Sequence, residues 1–287
     1  MTASRQKGKS MKQRIISAVV ALALLAVALF CYNTIIFNFF IALIGAIAVY
    51  ELLHSTKYVK NPVILWVSCL YALVVPFFET LDVKNIHVYV TVGYFAILFT
   101  ILLKCHEKVK FEEIAISFFI SLVVPVAFSM TILMRDYHEH GIFYTFLVCA
   151  AAWLTDSAAY FAGRAFGKHK MAPLISPHKT VEGAVGGLLV TTICYPLFCL
   201  GYQAILANMG VEIHFNWLIV MVLGLLCSAA GMAGDLLASV IKRQTGIKDY
   251  GNIMPGHGGV MDRFDSFLLV APTFYLLIQV IPVISYV

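Results

Sequence analysis

The sequence predicts an all-α, polytopic integral membrane protein with about nine transmembrane helices, and three observations lead there. Hydrophobic residues make up 61% of the 287-residue chain and charged residues 12%, with a mean hydropathy of +0.89, so no soluble core would absorb its apolar surface. The apolar runs are about twenty residues long and unbroken, which suits membrane helices and excludes an outer-membrane barrel, whose strands alternate over about ten residues. Basic residues crowd every second loop, as they do in a chain that crosses the bilayer repeatedly.

Met1 to Arg14 carries Arg5, Lys7, Lys9, Lys12 and Arg14 ahead of an apolar run from Ile15 to about Tyr32. No small-x-small cleavage site follows, and Phe30 before Cys31 is too large for lipoprotein processing, so the run is read as the first span rather than a signal peptide. Further spans are expected at Thr34 to Leu53, Pro62 to Phe78, Ile86 to Leu103, Ile114 to Met134, Ile142 to Ala165, Gly183 to Ala207, Phe215 to Ile241 and Phe264 to Val283. With the N-terminus inside, the inside loops hold Lys57 and Lys60, then Lys104, Lys108 and Lys110, then Arg164, Lys168, Lys170 and Lys179, then Lys242, Arg243, Lys248 and Arg263. Of the 20 Lys and Arg residues only Lys84 and Arg135 fall outside. The expected orientation is N-terminus cytoplasmic and C-terminus outside. The formal charge of +5 is carried by these loops, and no nucleic-acid partner is expected. The 7 cysteines lie mostly in apolar runs without metal-ligand spacing and are read as small buried side chains.

Residues 1–140 are expected to form a membrane scaffold of about five helices, and 141–287 a catalytic membrane region of about four. The reason is where the polar residues fall. Charge near bilayer depth costs about 2.5–3.5 kcal/mol on insertion scales and marks function by default. Gly234 to Ser266 contains Asp235, Ser239, Lys242, Arg243, Lys248, Asp249, His257, Asp262, Arg263 and Asp265. Asp235, Ser239 and Lys242 recur at i, i+4 and i+7 and share one helical face. Asp262 and Asp265 open the last span, where a helix N-terminus favours negative charge, so capping is the structural reading of Asp265. For Asp235 the structural reading is an ion pair with Lys242 or Arg263.

The functional reading is that Asp235 and Asp262 together hold a divalent cation. Two carboxylates about 4 Å apart would repel by about 4 kcal/mol at an effective dielectric of about 20, and Mg2+ cancels that repulsion. Such sites serve phosphoryl and nucleotidyl transfer. Gly256, Gly258 and Gly259 in Pro255-Gly-His-Gly-Gly offer bare backbone for an anion, with His257 as a donor to a phosphate oxygen or a cap of its own loop. Lys242, Arg243, Lys248 and Arg263 surround that loop in sequence. Asp156 and Tyr160 share a helical face at the end of the sixth span. In Ser176-Pro177-His178-Lys179-Thr180, Lys179 can neutralise a phosphate while Ser176 or Thr180 caps the next helix.

The run Ser239-Val-Ile-Lys242-Arg243, four residues, Lys248-Asp249, then Pro255-Gly-His-Gly-Gly259, two residues, Asp262-Arg263-Phe-Asp265-Ser266 resembles the signature of the phosphatidate cytidylyltransferase, or CDP-diglyceride synthetase, family. D-x-x-A-Y-x-x-G at 156–163 and S-P-x-K-T-x-E-G at 176–183 resemble further family elements. Met254 stands where Ile or Leu is usual, a difference without chemical consequence. The resemblance implies a bacterial cell-membrane enzyme that joins CTP and phosphatidic acid into CDP-diacylglycerol and pyrophosphate. It implies Mg2+ on Asp235 and Asp262, a second, monovalent cation such as K+, and a homodimer. Asp235, Asp262, Lys242 and Arg263 are then the expected catalytic group. Lys179, Ser239, Arg243, Lys248, Asp249, Gly256, His257, Gly258, Gly259, Asp156, Tyr160 and Asp265 are the expected substrate-binding set.

A CTP-dependent lipid kinase of the polyprenol type would need the same metal and phosphate groups and is the alternative. A secondary transporter would also carry intramembrane charge, but here the motif residues crowd one face and no inverted repeat is visible.

Overall fold

The computed structural model describes residues 16–17, 19–21, 23–81, 83–256 and 258–286. The chain forms two compact units, Met1–Arg135 with Ile241–Arg263, and Asp136–Val240 with Phe264–Val287. Helices dominate both, as the hydropathy requires.

In the first unit residues 23–30 are helical, followed by α1 (Ile35–Ser55), α2 (Pro62–Val74), α3 (Ile86–Lys104) and α4 (Phe111–Tyr137). Asn61 starts α2 by accepting from the Val63 N–H at 2.9 Å, with Pro62 in the first helical position where its missing N–H costs nothing. Val75–Phe77 then tightens into a 3-10 turn. Buried Asn38 is fully engaged: it donates to the Pro76 carbonyl at 2.8 Å and to Thr80 Oγ1 at 2.9 Å, and accepts from Arg135 at 2.7 Å. Ser68 and Tyr94 join α2 to α3 through a 2.8 Å hydrogen bond. Little of α3 is buried, leaving Val88, Val92, Phe95 and Leu103 exposed. In water that stripe would be a liability; against lipid it is the expected surface.

In the second unit α5 (Gly141–Phe166) lies along α6 (Val181–Asn208). Small residues let the backbones approach: a Cβ on Gly187 would meet the Thr155 carbonyl at 2.9 Å, and one on Gly183 the Ala159 carbonyl at 2.7 Å. Thr155 and Thr191 hydrogen-bond across this seam at 2.8 Å, fully buried. Between the two helices a hairpin pairs β1 (Lys170–Ala172) antiparallel with β2 (Ser176–Thr180). After α6, β3 (Ile213–Phe215) leads into α7 (Trp217–Thr245), whose residues from Ile241 onward belong to the first unit. A short α8 (Met261–Phe264) and α9 (Phe267–Val280) follow, and β4 (Ile284–Tyr286) returns to pair with β3.

The all-α membrane class holds, and the boundaries of α1 to α7 match the expected spans to within about four residues. Among the described residues six helices are long and apolar enough to cross a bilayer; Pro62–Phe77 and Phe267–Val280 are apolar but shorter. The expected span from Phe264 to Val283 is α9, shorter by three residues at each end, because the chain turns at Asp265 and Ser266 before the helix starts. The 14 residues of α9 rise about 21 Å, short of a hydrocarbon core about 30 Å thick. The first expected span lies partly outside the described residues, as do the basic residues from Arg5 to Arg14.

Candidate active site

In the first unit the motif folds back on itself around Asp262. The last turn of α7 presents Lys242, a loop runs from Gly246 to Val260, and α8 presents Asp262. Lys242 Nζ donates to Asp262 Oδ1 at 2.8 Å, with 15% and 3% of the two side chains exposed. Asp262 Oδ2 accepts from the Tyr250 N–H at 2.8 Å and the Gly259 N–H at 2.9 Å. One carboxylate therefore gathers a cation from α7 and two amides from the loop, and charge-assisted bonds of this kind are about twice as strong as neutral ones. The Lys242 ammonium also lies 5.0 Å from the centroid of the buried Tyr250 ring. Gly258 has φ +87, and a Cβ there would come within 3.0 Å of Asp262 Oδ2, so the turn needs glycine on both counts.

Arg243, Lys248, Asp249, Gly256 and Arg263 are exposed on this segment, while Gly259 is buried. His257 lies outside the described residues.

In the second unit Lys179, at the end of β2, forms an ion pair with Asp235 of α7, both about a quarter exposed. Ser239 Oγ points to Asp235 Oδ1 at 3.5 Å, the outer limit of a hydrogen bond. The partner of Asp235 is thus Lys179, not Lys242 or Arg263; Lys242 is taken by Asp262. The hairpin that carries Lys179 is tied at both ends. Thr180 caps α6 by accepting from the Gly183 N–H at 3.1 Å, and Glu182 accepts from the Lys168 N–H at 3.0 Å and binds His169 Nδ1 at 2.6 Å. Of the two capping candidates, Thr180 takes the position.

A cavity of about 460 Å³ opens beside this ion pair, lined by Asp156, Tyr160, Arg164, Lys170, His178, Lys179 and Asp235. Its basic groups come from α5 and both strands of the hairpin, and they suit an anionic ligand. Asp156 Oδ2 accepts from Ser266 Oγ at 3.0 Å, and buried Asp265 accepts from the Ser266 N–H at 2.8 Å. The N-cap position of α9 is Ser266, not Asp265, and no side chain caps it.

The sequence reading passed over Glu51. This residue of α1 is 2% exposed and accepts from the Val260 N–H at 3.1 Å and the Met261 N–H at 2.8 Å. The available signal was its charge within an otherwise apolar span.

A helical membrane protein with two lysine–aspartate pairs set in a glycine-containing polar motif is the class that fold and site define. The cytidylyltransferase family model matches residues 12–281. The chain belongs to that family. It is 33% identical over 274 residues to a phosphatidate cytidylyltransferase of Bacillus subtilis, covering 93% of this chain and 97% of the relative. It is 34% identical over 272 residues to the phosphatidate cytidylyltransferase of Staphylococcus haemolyticus, covering 93% and 99%.

Proposed function

We propose that this protein transfers the cytidylyl group of CTP to phosphatidic acid, forming CDP-diacylglycerol and releasing pyrophosphate at the cytoplasmic face of a bacterial membrane. The observation that carries the reading is the pairing of each motif aspartate with a motif lysine, Asp235 with Lys179 and Asp262 with Lys242, in a chain of the cytidylyltransferase family. Lysines poised on carboxylates are cations that an incoming phosphate can recruit.

The phosphate monoester of phosphatidic acid is largely ionised near neutral pH, so its oxygen attacks the α-phosphorus of CTP without a strong base. One P–O bond forms, the bond to the β-phosphate oxygen breaks, and pyrophosphate leaves. The protein has to align the reactants and neutralise charge. Lys179, Arg164 and Lys170 line a cavity suited to the lipid phosphate, and Lys242 beside the bare backbone of Gly256 and Gly258 suits the triphosphate. Asp235 and Asp262 are proposed as the Mg2+ carboxylates. Their hard oxygen donors fit that ion, which takes one or two protein carboxylates and completes its shell with water and phosphate. When bound, Mg2+ would offset charge on the α-phosphate and the leaving pyrophosphate. A second, monovalent cation such as K+, a homodimer and an N-terminus on the cytoplasmic side belong to the same proposal, the last supported by the distribution of basic residues.

CTP labelled at the α-phosphorus should pass its label to lipid in purified protein with no gradient present. Label appearing in lipid only from the γ position would identify a lipid kinase instead.

A further inference from the structure

We propose that Glu51, in the first described long helix, is a positioning residue for the catalytic loop. It sets the orientation of Asp262 and Lys242 without touching substrate, and the proposal takes the cytidylyl-transfer site above as its frame. Both carboxylate oxygens are used: Oε1 accepts from Val260 N–H and Oε2 from Met261 N–H, at 3.1 Å and 2.8 Å. These two amides open the turn into α8, where backbone N–H groups have no partner within the helix. A neutral amide side chain keeps one acceptor oxygen and sets an NH2 donor against the N–H that the other oxygen held.

The loop is built to admit that carboxylate. A Cβ on Gly251 would come within 2.6 Å of Glu51 Cδ, and so would one on Gly259. Both glycines flank the carboxylate where any side chain would displace it. One turn further along α1, Ser55 Oγ donates to the Tyr250 carbonyl. Glu51 and Ser55, at i and i+4 on one face of α1, therefore hold both ends of the segment from Tyr250 to Met261. The amides of Tyr250 and Gly259, within that clamped segment, are the ones that hold Asp262 Oδ2. The chain of contacts runs from Glu51 through Val260 and Met261 to Asp262, and from there to Lys242. A scaffold helix thus fixes the loop that carries the chemistry.

Glu51→Gln keeps the size of the side chain and removes one acceptor. The expected result is a kcat lowered about 10- to 100-fold, as for other residues that orient a catalytic group from behind. The KM for phosphatidic acid should stay within about two-fold, and membrane yield should stay normal. A kcat within about two-fold of the parent protein overturns the proposal. Gly251→Ala provides the second arm, because its methyl group displaces a carboxylate that is still present. It should lower kcat in the parent chain and add less than about a two-fold loss in a Glu51→Ala background. Losses that multiply would show that the two positions act independently and overturn the proposal. Should Glu51→Gln and Glu51→Ala fail to accumulate, Gly251→Ala alone decides: normal yield with normal kcat overturns the proposal, and normal yield with lowered kcat supports it. The readout is whichever CTP-dependent transfer the parent protein performs, so a γ-label result would overturn the proposed reaction and leave the role of Glu51 to be scored separately.

Discussion

Lys242 and Asp262 lie 2.8 Å apart, with 3% of the aspartate side chain exposed and its second oxygen on two backbone amides. This carboxylate holds its loop together as well as offering charge to a ligand. Removing either partner of such a pair strands the other in a poorly solvated place, at a cost of about 3–5 kcal/mol. Asp262→Asn is expected to abolish turnover and also to lower the melting temperature in detergent. In Lys242→Ala/Asp262→Asn, the stranded ammonium is gone, so melting should recover part of the loss while activity stays absent. A double variant less stable than Asp262→Asn would place the stabilisation elsewhere.

The pair of Asp235 and Lys179 behaves differently because it borders an open cavity and each side chain is about a quarter exposed. Water reaches both groups, so the ion pair is worth about 1 kcal/mol or less. Asp235→Asn should accumulate normally, melt within a few degrees of the parent protein, and lose at least about 100-fold in kcat by analogy with other charge-stabilising groups. Lys179→Ala should raise the KM for phosphatidic acid and leave that for CTP unchanged. Equal rises for both substrates would remove Lys179 from the lipid phosphate.

The membrane class and the helices from α1 to α7 were legible because unbroken apolar runs leave few alternatives. The candidate site residues stood out because charge and glycine are rare in such a chain. Pairing was not. Helical spacing puts Asp235, Ser239 and Lys242 on one face, yet Lys242 closes on Asp262 and Asp235 on Lys179, across loops whose paths no periodicity encodes. Glu51 was missed for a related reason: its partners are backbone amides 209 and 210 residues away, which carry no side-chain signature. The late start of α9, after Asp265 and Ser266, went unread because two polar residues can equally open a helix as precede it.

The α5–α6 seam makes a prediction about packing. A side chain at Gly187 would run into the Thr155 carbonyl and the Ala159 methyl, at 2.9 Å and 3.1 Å for Cβ alone. Gly187→Val should destabilise the protein by about 1–3 kcal/mol, read as earlier melting and lower membrane yield. Gly201, with nothing within 4 Å of a built Cβ, should accept alanine with no loss of yield. Tolerance of valine at 187 would mean that the seam is loose.

Acid should weaken the second unit through two histidines between α4 and α5. Burial lowers the pKa of His138, and it lowers that of His140 against the opposing pull of Glu139. His138 Nε2 lies 3.2 Å from the Gln279 amide nitrogen, and His140 Nδ1 lies 3.0 Å from the Tyr202 hydroxyl. A neutral imidazole accepts from the amide; a protonated one cannot. Because both folded-state values lie below the ordinary one of about 6.5, the stabilisation is present above that pH and is lost as pH falls through the lowered values. Melting temperature should therefore hold from about pH 8 to about pH 6.5 and decline below it. His138→Gln/His140→Gln should flatten that decline, and an unchanged slope in the double variant would take the acid sensitivity away from these two histidines.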